Sequence, residues 1–126
     1  MKAFLPPCAL LLAILLASIV NCRAMITCTE RWSQQLEASD EAAAKDNWDR
    51  AEELLQKSYQ DWSSYQSYLH IVARHEAVDG AEAMYRRAYA FAEEQEESEF
   101  RAELADLRHQ VHLLAEMERF SIKNVL

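Results

Sequence analysis

Residues 98–117 read SEFRAELADLRHQVHLLAEM, and their apolar stripe falls at Phe100, Leu104, Leu107, Val111, Leu114 and Met117. Steps of three and four residues put all six on one side of an α-helix, because a turn takes 3.6 residues. A strand would alternate with period two, and this stretch does not. Ser98 stands where a side-chain oxygen caps a helix N-terminus. The stretch is an amphipathic helix with one face to bury, so it needs partners.

Those partners lie upstream and are helical as well. After Pro7 there is no proline, and Gly80 is the only glycine. Strand proteins need turn residues every few positions, and good helix formers dominate here instead. Thr27-Cys28-Thr29-Glu30 has capping-box spacing and predicts a first helix from about Cys28 to Ala44, with Trp32 and Leu36 on one side. Asp46 is the expected cap of a second helix, with Trp48, Ala51, Leu55 and Trp62 as its stripe. Ser63-Ser64-Tyr65-Gln66 offers another capping box, opening a third helix to about Glu94 with Tyr65, Leu69, Val72, Val78, Ala81, Tyr85, Ala88 and Ala92 inward. An acidic turn over 93–97 leads to the fourth helix, and 121–126 is a short tail with an apolar end. The expected fold is all-α, an N-terminal membrane segment followed by a small antiparallel helical bundle or hairpin array of about four helices. The alternative is three helices with a long central rod, since the stripe passes Trp62 in phase.

The N-terminus sets the address. Lys2 is followed by uncharged, mostly apolar residues from Ala3 to Val20. A membrane-spanning helix takes about 20 such residues. Pro6 and Pro7 shorten the regular part, which also suits a secretory signal cut after Ala24. Ile19-Val20-Asn21-Cys22 resembles a lipobox, making Cys22 a possible lipidation site. Three readings therefore stand: an uncleaved anchor over residues 3–22, a secreted protein, or a lipoprotein. All three put residues 25–126 outside the cytoplasm, with the amino terminus and Lys2 held inside. The division expected is 1–24 as anchor or signal and 25–126 as an extracytoplasmic helical domain.

Beyond Ala24 the chain has 102 residues, enough for one small domain, with 11 Lys and Arg against 21 Asp and Glu. Nucleic-acid binding requires a basic face to release phosphate counterions, and this charge has the wrong sign. Cys22 and Cys28, six apart, have the spacing of a small disulfide. No paired-cysteine metal site, phosphate loop or nucleophile elbow is readable. No cofactor is expected, and the chain does not read as an enzyme.

Several residues combine into a resemblance. His75-Glu76-Ala77-Val78-Asp79 and the ending Glu116-Met117-Glu118-Arg119-Phe120-Ser121-Ile122-Lys123-Asn124-Val125-Leu126 resemble an uncharacterised bacterial domain-of-unknown-function family of short, membrane-anchored, all-helical proteins, common in spore-forming Gram-positive bacteria. Asp46-Asn47-Trp48-x2-Ala51 and Trp62 fit the same pattern, and the likeness covers most of residues 28–126. It implies the anchor and the helical architecture and no activity. Gly80 departs from it, since a bulky apolar residue is usual there.

Candidate sites are few. His75 lies in the third helix's stripe and, in a hairpin about Glu96, stands opposite about residue 117, within reach of Glu116 or Glu118. His75, Asp79 and Glu118 form a possible structural or switch group. His109 and His112 share a helix face and are weak metal candidates, because two ligands make an incomplete site. Trp62, Tyr65, Ile122, Val125 and Leu126 are the possible partner contacts, on the principle that excess aromatic and apolar surface marks an interface. The function expected is a non-enzymatic, membrane-tethered interaction or scaffold component of the cell envelope. The alternative is an extracytoplasmic metal, pH or small-ligand sensor.

Overall fold

The computed structural model describes the backbone of residues 3, 5–72 and 74–125, and their side chains except 21, 22, 68, 72 and 118–125. Among the described residues the protein is all-α, with helices α1 (Leu5–Ala44), α2 (Trp48–Ser64), α3 (Gln66–Val72), α4 (His75–Glu93) and α5 (Glu97–Val125). α1, α2, α4 and α5 form an up-down-up-down bundle, and the seven-residue α3, about two turns long, bridges α2 to α4.

Contacts between helices fix the directions. Ser39 Oγ donates to Ala51 O at 2.7 Å and Ser58 Oγ to Trp32 O at 3.4 Å, so α2 returns antiparallel to α1. Arg101 pairs with Asp40 at 2.8 Å and Arg108 with Glu37 at 3.6 Å, setting α5 antiparallel to α1. Arg87 meets Glu103 at 2.7 Å and Gln110 Nε2 donates to Ala77 O at 2.9 Å, closing α4 against α5. The α1–α2 and α4–α5 turns lie at the end far from the apolar N-terminus, and α3 lies at the near end.

Most of the stripes read from the sequence form the core, but Tyr65, expected to face inward, is 36% exposed because α2 ends there. Trp32, Leu36, Leu55, Trp62, Val78, Tyr85, Phe100, Leu104, Leu107 and Val111 are fully enclosed. Each such side chain is worth about 1.5–3 kcal/mol of burial, which is what holds helices this long together. Trp48 and Phe100 meet edge-on at 5.3 Å between ring centroids and tie the two far-end turns to each other.

α1 departs from expectation. It does not begin at Cys28 but runs unbroken from the apolar segment into the core. The supposed capping threonines turn back into their own helix: Thr27 Oγ1 donates to Arg23 O at 3.0 Å and Thr29 Oγ1 to Met25 O at 2.7 Å. A threonine inside a helix has that option, so capping-box spacing alone does not start one. Six residues along this helix rise about 9 Å, which puts Cys22 and Cys28 beyond disulfide reach. Cys28 is a free, buried thiol.

Three other boundaries differ. Asp46 does not cap α2. It takes a left-handed conformation (φ 59°), with Asn47 N–H bonding Ala42 O at 2.9 Å and Asp46 N–H bonding Ala43 O at 3.0 Å. That is a Schellman close to α1, after which Asn47 caps α2 through Arg50 N–H at 3.3 Å. Gln95 (φ 52°) repeats the motif after α4, with Glu96 N–H to Phe91 O at 3.0 Å and Gln95 N–H to Ala92 O at 3.1 Å. α5 therefore starts at Glu97, before Ser98 has a chance to cap it.

The expected third helix is two helices. α2 ends at Tyr65, and Ser63 and Ser64 donate back to Gln60 O and Asp61 O at 3.1 and 2.7 Å rather than capping forward. A second break follows, with Arg74 extended (φ −70°, ψ 137°) before α4. The continuous α2–α3 rod does not occur. α4 must run opposite to α2, and one kink cannot reverse a chain whose next contacts lie back along the bundle. At the other terminus the backbone of 121–125 is a continuation of α5 rather than a separate tail.

Candidate functional site

The molecule has two distinct halves along α1. From Leu5 to Ala24 the described side chains meet almost no protein: Leu5, Leu11 and Val20 are 65%, 67% and 64% exposed. Among the described side chains Met25 is the first buried one, followed by Cys28, Thr29, Trp32, Ser33 and Leu36. Among the described residues this is the one helix long and apolar enough to cross a membrane. Its outer 20 residues rise about 30 Å, the thickness of a hydrocarbon layer.

The bundle end next to this segment is built from α3 and the facing turns of α1, α2 and α5. Arg31 forks onto Asp61, with Nη2 to Oδ1 at 2.7 Å, and that bond holds the guanidinium above its ordinary value. Trp32 meets Tyr65 edge-on at 5.8 Å. Tyr65 is 36% exposed and Ile71 is 82% exposed, so the α2–α3 corner and α3 present apolar surface outward. A cleft of about 190 Å³ lies close by, lined by Ile26, Thr29, Glu30, His112, Ala115 and Glu116.

Polar groups thread the core behind this end. Ser58 Oγ lies 2.7 Å from Tyr85 Oη, and Tyr59 Oη donates to Glu82 Oε1 at 2.8 Å. Tyr59, Trp62, Tyr85 and Tyr89 stack around them at centroid distances of 5.2–6.1 Å. Burial pushes the Tyr85 phenol well up, against a smaller opposing effect from Ser58. Burial also lifts Tyr89 to about 12, and the bond to Glu82 raises Tyr59. Trp32 Nε1, Trp62 Nε1, Gln35 Oε1 and Glu82 Oε2 are enclosed with no hydrogen-bond partner among the described residues. Each such group works against stability by about 1–3 kcal/mol.

The histidines are not where the stripe put them. His75 is the first residue of α4 and is exposed, not packed between Val72 and Val78. The Gln110–Ala77 and Arg87–Glu103 contacts set it about one turn short of Met117. Its Nδ1 lies 2.9 Å from His70 Nδ1 across the α3–α4 joint, with ring centroids 4.7 Å apart. Asp79 follows one turn later on α4 and is exposed, and the Glu118 side chain lies outside the described residues. His109 and His112 are both exposed on α5, and His112 Nε2 stands 3.5 Å from Ser33 Oγ.

The proposed contact residues separate. Trp62 is wholly enclosed, so it is a core residue and offers no surface. Tyr65 remains available. The side chains of Cys22, Ile122 and Val125, and all of Leu126, lie outside the described residues. The His70–His75 pair and the exposed Ile71 went unrecognised in the sequence, because both depend on the second helix break.

Residues 19–125 match the family described as "Domain of unknown function (DUF4363)". No curated protein and no solved structure matches the chain.

Proposed function

Because the chain belongs to the family described as Domain of unknown function (DUF4363), its role has to come from its own geometry, and we propose that it is a membrane-anchored, non-enzymatic interaction module of the cell envelope. In this reading residues 3–22 stay in the membrane uncleaved and residues 25–126 stand on the extracytoplasmic side. The single observation that carries it is the continuity of α1, whose apolar outer half and core-forming inner half share one helix. Cleavage after Ala24 would cut inside that helix, so an anchor fits better than a removable signal. Lys2 and the amino terminus favour the inner side, since translocating cationic flanks is costly.

The contact surface in this proposal is the bundle end beside the membrane. Tyr65 and the exposed Ile71 lie there, and α5, which runs on past Glu116 toward it, carries Ile122 and Val125, with Leu126 next in the sequence. Exposed aromatic and branched apolar side chains in a cluster are the usual anchors of a protein contact. Confinement to the membrane plane raises the encounter concentration with other envelope proteins, so a modest contact suffices.

Protease protection and crosslinking in intact cells test both parts. The expected outcome is a full-length membrane-bound chain, degraded from outside, with a crosslinked partner that disappears when 122–126 are deleted. Recovery of full-length chain in the soluble cytosolic fraction would overturn the placement, and a crosslink unaffected by Tyr65→Ala, Ile71→Ala and the deletion together would overturn the surface.

A further inference from the structure

The α3–α4 joint brings two imidazoles together in a way the rest of the fold does not require. His70 closes α3 and His75 opens α4. Neither is in the core: His75 is exposed and His70 half-buried. Their contact is nitrogen to nitrogen, Nδ1 to Nδ1 at 2.9 Å, so the two lone-pair positions face each other. In the neutral pair one Nδ1 carries a proton and donates it to the other.

We propose that His70 and His75 form a two-nitrogen chelate for a borderline divalent cation, with zinc as the representative ion. Tetrahedral coordination at about 2.0–2.1 Å per nitrogen sets two ligating nitrogens about 3.3 Å apart. The observed separation needs to open by only about 0.4 Å to reach that spacing. The opening falls at the α3–α4 joint, where Arg74 is already extended. The ring that holds its proton on Nδ1 moves it to Nε2, so both Nδ1 atoms coordinate with no net loss of protons. Imidazole nitrogen suits zinc, nickel and copper(II), and disfavours magnesium and calcium, which take oxygen.

The surroundings fit a cation. Glu76 and Asp79 follow on the first turns of α4, both exposed, and offset the charge of Arg74. No group of three or more His, Cys, Asp or Glu side chains suited to a metal occurs among the described residues. The pair therefore supplies half of a tetrahedral shell, leaving two positions for water or for a ligand from another molecule. His109 and His112, the pair selected by spacing alone, show no such convergence. The inference does not depend on the anchor or on the partner surface proposed above.

The test is calorimetric titration of the full-length chain in detergent micelles with zinc chloride, alongside the NMR signals of labelled histidine. One zinc per chain is expected, with the His70 and His75 signals moving and those of His109 and His112 still. His70→Ala and His75→Ala should each weaken binding at least about tenfold, or 1.4 kcal/mol. The His109→Ala/His112→Ala double variant should bind as the parent does. Unchanged metal-free melting of each variant shows that the bundle is intact, and His75→Gln, which keeps a polar helix start, serves if His75→Ala is not folded. Absence of binding up to about 1 mM zinc overturns the proposal, as does binding that survives loss of His70 or tracks His109 and His112.

Discussion

Replacing Gln95 with glycine should stabilise the bundle, while the matching change at Asp46 should not. Both residues hold positive φ at the close of a helix, 52° for Gln95 and 59° for Asp46. A left-handed L-residue carries about 1–2 kcal/mol of strain that glycine does not. Glycine also loosens the unfolded chain, which takes back about 0.4–1 kcal/mol. Gln95 is exposed, so Gln95→Gly keeps a net gain of about 0.5–1 kcal/mol. For a bundle of this size that raises Tm by about 2–8 °C. Asp46 differs because its Oδ1 accepts the Trp48 indole N–H at 3.0 Å, and Trp48 is buried. Losing that bond works against the change by about 0.5–1.5 kcal/mol, so Asp46→Gly should come out near zero or destabilising. Thermal melts of parent and variants in one detergent, followed by the near-ultraviolet signal of the core tryptophans, measure the contrast. If Asp46→Gly gains as much as Gln95→Gly, or Gln95→Gly gains nothing, the Schellman assignment or the Asp46–Trp48 bond is wrong.

Alkaline stability reports on the buried phenols. Tyr85, Tyr89 and Tyr59 all have raised values in the folded chain, so above about pH 10 the unfolded chain releases protons that the folded one retains. Stability is then flat below that pH and falls as pH rises, by about 1.4 kcal/mol per pH unit for Tyr85 alone. Urea midpoints from pH 8 to 11.5 should show the decline, and Tyr85→Phe should shallow it; an unchanged slope in that variant would mean the phenol titrates freely. Gly80→Ala should gain less than the usual 0.5–1 kcal/mol or so, because the new Cβ would meet Gln110 Nε2 at 3.3 Å and disturb its bond to Ala77 O. In a Gln110→Ala background the full gain should return, and equal melting shifts in both backgrounds would refute the crowding. Ala24→Pro should remove hydrogen-exchange protection across residues 21–28, at a local loss of about 3 kcal/mol, yet leave the core melting nearly intact. Full protection in that variant would show that the helix does not depend on its own ladder there.

The stripes were readable because a helix repeats faithfully: every apolar position from Phe100 to Leu114 named by spacing is enclosed, and so are Trp32, Leu36, Leu55, Tyr85 and Ala88. The resemblance to an uncharacterised domain-of-unknown-function family holds at that level, since residues 19–125 match the model of such a family. Boundaries were harder, for reasons visible in particular side chains. Thr27 and Thr29 spend their hydroxyls on the preceding turn. Asp46 and Gln95 do work usually left to glycine, so two of the turns carry no compositional flag. The break at Arg74 has neither proline nor a side-chain cap to mark it in the sequence. That break is also why His75 meets His70, since a single helix would have kept residues five apart on different faces.

Along α1 no loop, glycine or proline intervenes between Val20 and Met25. The apolar rod and the bundle consequently share a screw axis. Adding or removing one residue in that interval would swing the bundle by about 100° around the axis, so its azimuth toward neighbours in the bilayer is written in helical phase rather than in linker length.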